Sequence, residues 1–139
     1  MPDRKTLLIV DDIPLMRTIL AKYLKSLVAK VFTTQLGAAG VDILEAANGK
    51  QALQKLAQED VDLIFLDLMM PEMDGLTFLS KVKEDGKLNA IPVIVCSALG
   101  EKDTVERARS LGAVSYILKP FTLKTVEEKV REALPVLQS

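Results

Sequence analysis

Five short apolar runs, separated by amphipathic segments, constrain the fold of this chain more than any other feature of its sequence. The runs are Thr6–Val10, Val41–Leu44, Val61–Leu66, Ile91–Cys96 and Ala113–Leu118. Largely continuous apolar runs of this length are typical of strands that are buried on both faces of a parallel sheet. Because amphipathic segments follow the strands, the pattern predicts an α/β domain of the (βα)5 type with helices on both faces of the sheet.

Apolar residues at helical spacing mark the segments between and after these runs. The stripes comprise Leu15, Ile19, Tyr23, Leu24, Leu27 and Val28, then Ala52, Leu53 and Leu56, then Leu76, Leu79 and Val82, then Val105 and Ala108, and finally Val126, Val130 and Leu134. The stretch from about Lys25 to Gly40 is longer than the connections of about 2–6 residues that are usual in α/β units. We therefore expect an extended first helix that ends near Gly37, or an insertion in residues 25–40.

Three apolar residues in this stretch, Val31, Phe32 and Leu36, would lie beyond the sheet if they continue the stripe of the first helix. Exposed apolar patches often mark contacts with other proteins, so one interpretation is a docking surface or a homodimer contact. The alternative is that the segment folds back and forms a small cap of its own. Both interpretations stay open at this point.

Size and composition restrict the function further. The 139 residues fit a single domain over 1–139, and the 49% of hydrophobic residues suffices for a core. A net charge of -1 argues against direct nucleic-acid binding. The chain starts with too few apolar residues for a signal peptide or a membrane span, and its one cysteine, Cys96, fits a reducing compartment. We therefore expect a cytoplasmic protein without membrane association, in which Cys96 is a core residue.

Histidine is absent from the sequence, which excludes histidine-dependent catalytic triads and histidine-ligated zinc sites. Polar residues instead follow four of the apolar runs: the pair Asp11 and Asp12, then Asp67, Ser97 and Lys119. In an open parallel sheet the ligand crevice lies at the carboxyl ends of the strands. Converging carboxylates need a cation between them, and oxygen ligands favour Mg²⁺. A lysine and a hydroxyl opposite the carboxylates can hold phosphoryl oxygens, so the set indicates phosphoryl transfer to a carboxylate.

The same residues carry a family resemblance. The segments are Leu8–Asp12, Glu45–Leu53, Asp67–Gly75, Val95–Ala98 and Gly112–Phe121. Together they resemble response-regulator receiver domains of the single-domain, CheY-like chemotaxis type, over nearly the whole chain except about residues 30–40. The resemblance implies a flavodoxin-like sheet in the order 2-1-3-4-5. It also implies a phosphoprotein of a two-component signal transduction system, which has no enzymatic activity beyond its own phosphorylation and dephosphorylation.

The resemblance assigns roles to individual residues. Asp67 would be the phosphoacceptor for a sensor histidine kinase or a phosphotransfer protein. Asp12, with Asp11 partly through water, would bind Mg²⁺ together with Asp67 and the backbone carbonyl of Met69. Lys119 would pair with the phosphoryl oxygens, and the peptide bond that follows it would be cis.

Two further residues would transmit the signal. The resemblance makes Ser97 the hydroxyl that moves towards the phosphoryl group, and Tyr116 the aromatic side chain that turns inward with it. This movement would reshape the face made by the fourth helix, fifth strand and fifth helix, where a downstream target protein would bind. The single-domain layout favours a chemotaxis-like role by analogy, while a phosphorelay remains open.

Each of these residues also has an ordinary structural interpretation. Asp11 and Asp12 could end a strand and cap a helix, Asp67 could end a strand, and Ser97 could cap the next helix. Lys119 could belong to a turn, and Tyr116 could be a core residue. The structural interpretations are individually common but jointly improbable, because the strand-end residues all fall on the same edge of the predicted sheet.

Two apolar positions predict the lifetime of the phosphorylated state. Met69 follows Asp67 by two positions, and Leu99 follows Ser97 by two. In the family that the chain resembles, these positions flank the path of the hydrolytic water. Since neither side chain can orient water by hydrogen bonding, we expect a longer-lived phosphorylated state than in relatives with polar residues there. The methionines Met69, Met70 and Met73 are otherwise expected to pack in the loop near the site.

Three other functions fit the sequence less well. A pseudo-receiver scaffold would keep the fold without phosphorylation, but the complete set of Asp12, Asp67, Ser97 and Lys119 argues against it. A phosphohydrolase with an aspartyl nucleophile typically needs a second acid two residues later, where this chain has Met69. A flavodoxin-like cofactor binder would need a Gly/Ser/Thr-rich phosphate loop after the first strand, where two aspartates would repel phosphate unless a cation intervened.

Overall fold

All five predicted strands form, and they pair in one parallel sheet. The computed structural model describes residues 5–27 and 41–137. Within these ranges the strands are β1 (Lys5–Val10), β2 (Val41–Ala46), β3 (Leu63–Leu66), β4 (Val93–Ser97) and β5 (Ser115–Leu118). Their order is β2-β1-β3-β4-β5 and every pair is parallel. The (βα)5 prediction and the strand order implied by the resemblance are both confirmed.

Five helices connect and follow the strands of the described chain. They are α1 (Pro14–Leu27), α2 (Gly49–Gln58), α3 (Gly75–Glu84), α4 (Lys102–Ser110) and α5 (Leu123–Leu137). Asn48 caps α2 by accepting a hydrogen bond from the Gln51 N–H, and Asp74 caps α3 by accepting one from the Thr77 N–H. Such caps satisfy amide groups that have no partner within the helix.

The description of α1 ends at Leu27. The predicted extension towards Gly37, or insertion, lies outside the described residues. The same holds for the docking or dimer surface that was predicted at Val31, Phe32 and Leu36. Both stay predictions.

Both faces of the sheet are buried, which explains why the strands appear in the sequence as nearly continuous apolar runs. In β1, Leu7 and Ile9 belong to the core on the side of α1 and α5. Leu8 and Val10 alternate with them and belong to the core on the side of α2, α3 and α4. Since side chains alternate between the two faces of a strand, a strand with both faces covered needs apolar residues at every position. Burying each of these side chains contributes about 1.5–3 kcal/mol.

Cys96 lies in β4 and is 2% exposed, which confirms the prediction that it is a core residue. Burial raises the pKa of its thiol, so the thiolate needed for nucleophilic chemistry does not form under ordinary conditions. In residues 5–27 and 41–137, no helix is long and apolar enough to cross a membrane.

Candidate functional site

The carboxyl edge of the sheet brings the strand-end residues to one place. Val10 of β1 pairs with Leu66 of β3, so the aspartates that follow these two residues are neighbours. The ladder continues one step further, because the Asp67 N–H donates to the Val10 carbonyl over 2.8 Å. On the other side of β4, the Lys119 N–H donates to the Ser97 carbonyl over 2.9 Å. The parallel register alone therefore aligns the residues that the sequence singles out.

Three carboxylates converge at this edge. Asp11, Asp12 and Asp67 each offer a carboxylate oxygen, and these oxygens lie within 4.8 Å of one another. Asp11 is 5% exposed and Asp67 4%, whereas Asp12 is exposed. The backbone N–H of Ile13 donates to Asp11 Oδ1 over 2.9 Å, and that of Met69 donates to Asp67 Oδ1 over 3.3 Å. The cluster is thus two buried acids with one acid at the solvent side.

Lys119 enters the same cluster from the end of β5. Its Nζ lies 2.7 Å from Asp11 Oδ2 and 3.5 Å from Asp67 Oδ2, and its side chain is 12% exposed. The peptide bond between Lys119 and Pro120 is cis, as the resemblance implied. Three carboxylates therefore face one ammonium group, which leaves negative charge in the cluster without a counter-charge.

The pKa values of Asp67 and Lys119 are both shifted by this arrangement. Burial raises the pKa of Asp67, and the neighbouring Asp11 charge acts in the same direction, while Lys119 opposes both. Burial acts to lower the pKa of Lys119, but its hydrogen bond to Asp11 and the charges of both buried acids outweigh burial and raise it. Lys119 therefore stays protonated at neutral pH, and its charge does not fully neutralise the acids.

The donor set fits a hard divalent cation. All three side-chain donors are carboxylate oxygens, the ligands that Mg²⁺ and Ca²⁺ prefer. The backbone N–H of Met69 donates to the Asp67 carboxylate, so Met69 lies beside the cluster. The role of the Met69 carbonyl as a metal ligand stays a prediction. The structure thus supports a divalent-cation site made by Asp11, Asp12 and Asp67.

Ser97 and Tyr116 meet at the backbone of Leu99. Ser97 is fully buried, and its hydroxyl oxygen accepts a hydrogen bond from the Leu99 N–H over 3.2 Å. The Tyr116 hydroxyl donates to the Leu99 carbonyl oxygen. Burial raises the pKa of Tyr116. Ser97 and Tyr116, the two residues predicted to transmit a signal, are thus connected through the backbone N–H and carbonyl of Leu99. Because the connection uses backbone atoms, the sequence could not indicate it.

The loop from Pro71 to Gly75 turns back onto the backbone that follows β3, where the Gly75 N–H donates to the Leu68 carbonyl over 3.0 Å. Glu72 has a φ of 68°, and the Met73 N–H donates back to the Pro71 carbonyl over 2.8 Å. A Cβ on Gly75 would lie 2.5 Å from the Asp67 carbonyl oxygen and 2.5 Å from Leu68 Cα, so only glycine allows α3 to start here.

The loop methionines divide into two kinds. Met70 and Met73 pack against the core, as the sequence predicts. Met69 is 54% exposed, so the prediction of loop packing is wrong for this residue. Met69 follows Asp67 by two positions, in the loop that leaves the carboxyl edge of the sheet, and its side chain is exposed there.

Arg17 is a residue of this site that the sequence did not single out. Its Nη1 donates to the Asp11 carbonyl oxygen over 2.7 Å, and its Nε lies 3.0 Å from Glu45 Oε1. Arg17 belongs to the first turns of α1, and Glu45 lies near the carboxyl end of β2. The contact with Glu45 depends on which face of α1 lies against β2, so no local motif indicates it.

The comparisons with known proteins agree with this geometry. Residues 7–131 match the family described as the response regulator receiver domain. The chain is 36% identical over 129 residues to chemotaxis protein CheY1 of Helicobacter pylori, which covers 92% of this chain and 95% of that protein.

Solved structures with the same fold include signal receiver domains. That of a DNA-binding response regulator from Colwellia psychrerythraea has a TM-score of 0.80 and 25% identity, over 94% of this chain and 98% of that one. That of a signal transduction histidine kinase from Syntrophus aciditrophicus has a TM-score of 0.77 and 28% identity, over 97% of this chain and 94% of that one. The chain therefore belongs to the response regulator receiver domain family, as a relative of CheY and of the signal receiver domains of two-component systems.

Proposed function

We propose that Asp67 of this receiver domain accepts a phosphoryl group, with Mg²⁺ bound at the acid cluster, from a sensor histidine kinase or a phosphotransfer protein. The observation that carries the proposal is the buried Asp67 carboxylate within 4.8 Å of two further acids and 3.5 Å from the Lys119 ammonium group. As a receiver domain, the chain is a phosphorylated signalling domain and not a classical enzyme. We propose further that the chain catalyses only its own phosphorylation and dephosphorylation.

The transfer uses the geometry of the cluster. A carboxylate oxygen of Asp67 attacks the phosphorus of a phosphohistidine, the P–N bond breaks, and the histidine nitrogen leaves with the electron pair. The product is an acyl phosphate on Asp67. Lys119, which is already aimed at Asp67, would donate to a phosphoryl oxygen. Asp11, Asp12, Asp67 and the Met69 carbonyl would hold Mg²⁺, which supplies positive charge for the phosphoryl oxygens.

The conformational change caused by phosphorylation would reach the surface through Leu99. A phosphoryl group that recruits the Ser97 hydroxyl competes with its hydrogen bond from the Leu99 N–H. Movement of Leu99 changes the acceptor of the Tyr116 hydroxyl, which links the site to β5. The face made by α4, β5 and α5 exposes Leu118 and Leu123, which are 53% and 37% exposed. Apolar side chains on this face support its role in binding a downstream target protein.

The lifetime of the acyl phosphate follows from the residues around it. Met69 is largely exposed and Leu99 is partly buried against the core, and neither side chain carries a hydroxyl, amide or charged group that would orient water. The longer-lived phosphorylated state therefore stays our expectation. Rapid loss of phosphate from the purified phosphoprotein, compared with a variant with a polar residue in place of Met69, would contradict it.

The other functions have less support. The scaffold without phosphorylation does not explain why a lysine, two buried acids and one exposed acid share one cluster. An aspartyl phosphohydrolase would need an acid where Met69 stands. The cytoplasmic location, the single-domain organisation and the homodimer stay predictions from the sequence.

Phosphorylation by acetyl phosphate, measured by intact mass, tests the proposed function. We expect the wild type to gain one phosphoryl group with MgCl₂ and none with EDTA, and Asp67→Asn to gain none. Asp85→Asn is the matched control, because the Asp85 carboxylate accepts hydrogen bonds from the Lys87 and Leu88 N–H groups in an exposed turn after α3. Failure of the wild type would favour the scaffold, and a gain in Asp67→Asn would assign the acceptor elsewhere.

A further inference from the structure

We propose that Arg17 is a positioning residue of the cation site: it holds the peptide that joins Asp11 to Asp12, and thereby the Asp12 carboxylate, opposite Asp67. The proposal rests on the Mg²⁺ site of the proposed function. It assigns a role to an arginine that does not itself belong to the acid cluster.

The main chain at Asp11 has two hydrogen bonds. The Asp11 N–H donates to the Ala46 carbonyl over 3.1 Å, which continues the β1–β2 ladder. The Asp11 carbonyl oxygen accepts from Arg17 Nη1 over 2.7 Å. This carbonyl belongs to the peptide plane shared with Asp12, so the guanidinium group fixes the plane from which the Asp12 side chain departs.

Asp12 needs such a restraint more than the other two acids. The Asp11 carboxylate accepts hydrogen bonds from Ile13 and Lys119, and the Asp67 carboxylate accepts one from Met69. Within residues 5–27 and 41–137, no hydrogen bond holds the Asp12 carboxylate, which is exposed. Its position relative to Asp67 therefore depends on the backbone on which Arg17 acts.

Glu45 completes the arrangement. Its carboxylate lies 3.0 Å from Arg17 Nε, and the Arg17 side chain is 17% exposed. A planar guanidinium can serve two acceptors at once with fixed geometry, whereas a lysine ammonium group is a flexible point donor. Glu45 also offsets the positive charge of Arg17, so the arginine can hold Asp11 without adding net positive charge beside a cation site.

Because Arg17 is positively charged, its removal changes cation affinity in opposite directions under the two explanations of its role. Removing a positive charge near a cation site strengthens cation binding if charge alone matters. Removing a positioning contact weakens cation binding instead, because the ligands lose their arrangement. Loss of an outer contact to a metal ligand typically lowers affinity by about 10–100-fold. The two explanations of Arg17 thus predict opposite changes.

The experiment is an NMR titration of the whole chain with MgCl₂, with thermal unfolding measured in parallel without Mg²⁺. The variants are Arg17→Ala and Arg17→Lys. The control is Arg131→Ala, which removes the same charge and breaks the ion pair with Glu127 on α5 at 3.0 Å. We expect Arg17→Ala to weaken Mg²⁺ binding by about 10-fold, Arg17→Lys to restore part of it, and Arg131→Ala to match the wild type.

Each other outcome is decisive. Unchanged or tighter Mg²⁺ binding in Arg17→Ala would overturn the inference while leaving the cation site intact, even if the variant unfolds at a lower temperature. If Arg17→Ala does not fold, Arg17→Lys decides, since wild-type affinity in that variant would show that the fork geometry is not needed. Absence of Mg²⁺ binding in the wild type would overturn the cation site itself, and the inference with it.

Discussion

Two partly buried lysines lie at opposite edges of the sheet and have opposite surroundings. Lys119, at the carboxyl edge, contacts the carboxylates of Asp11 and Asp67, and its pKa is raised. Lys83, at the amino edge, donates to the backbone carbonyls of Asn89 and Ile91 over 3.3 and 2.9 Å. Burial lowers the pKa of Lys83.

The difference separates a functional edge from a structural edge. Lys83 connects the end of α3 to the segment before β4, and both of its hydrogen-bond acceptors are backbone carbonyls. Lys119 neutralises only part of a cluster of acids. A buried charge left without a full counter-charge costs stability, so its presence indicates a ligand that completes the site.

Substituting each lysine by methionine should affect phosphorylation at the carboxyl edge and only stability at the amino edge. Lys119→Met should slow phosphorylation by acetyl phosphate by about 100-fold or more, the usual loss when a group that stabilises developing charge is removed. Lys83→Met should keep the wild-type rate and unfold more easily by about 1 kcal/mol, since it loses two hydrogen bonds to carbonyls. The rates are measured by intact mass over time, and stability by urea unfolding.

Equal phosphorylation rates in the two variants would contradict this division of the sheet into a functional and a structural edge. A rate close to the wild type in Lys119→Met would show that the ammonium group is not needed at the acceptor. A large loss of rate in Lys83→Met, at a temperature where the variant is folded, would show that the amino edge contributes to the site.

A second prediction concerns the glycine behind the acceptor. Gly75→Ala should destabilise the chain by about 2–3 kcal/mol, because its Cβ would meet the backbone of Asp67 and Leu68 at 2.5 Å, which cannot relax cheaply. Gly86, in the turn after α3, has no atom within 4 Å of such a Cβ, so Gly86→Ala is the matched control and should change stability little. Urea unfolding of both variants measures the difference. Equal effects would contradict the close contact at Gly75.

The third and smallest effect depends on pH. Because the pKa of Asp67 is raised above 3.8 in the folded chain, the folded state binds more protons than the unfolded state between 3.8 and the folded pKa. Stability therefore falls as the pH rises through this window. In EDTA, Asp67→Asn should be more stable than the wild type at neutral pH by about 1 kcal/mol, and the difference should vanish below about pH 4.

Asp74 provides a control of opposite sign. The hydrogen bond from the Thr77 backbone lowers the pKa of Asp74, so its charge stabilises the chain above 3.8 and this contribution is lost as the pH falls through the folded pKa. Asp74→Asn should therefore be slightly less stable than the wild type at neutral pH. Thermal unfolding across the pH range measures both variants. The same sign in both would contradict the assigned environments.

The strands and the acid cluster could be predicted from the sequence for one physical reason. A strand buried on both faces must be apolar throughout, so the runs that end at Val10 and Leu66 are visible without any structure. Parallel pairing then aligns the following residues, Asp11 and Asp67, at one edge. Both steps depend on local composition and on a general rule of sheet geometry.

Other parts of the site could not be predicted, because they depend on tertiary contacts. Arg17 contacts the Asp11 backbone and the Glu45 side chain together, and the second contact exists because α1 and β2 are neighbours in the fold. Leu99 joins Ser97 to Tyr116 through its backbone N–H and carbonyl, which are the same in every residue except proline. The exposure of Met69 is also a tertiary property, since two other methionines of the same loop, Met70 and Met73, pack against the core.

Chemical trapping of the acyl phosphate locates the accepting residue. The wild type is phosphorylated with acetyl phosphate and MgCl₂, and borohydride then reduces the acyl phosphate so that the accepting aspartate becomes homoserine, which peptide mass spectrometry locates. We predict homoserine at position 67 and at no other aspartate. Homoserine at position 11 or 12, or a phosphoryl group that resists reduction, would contradict the assignment of Asp67 as the acceptor.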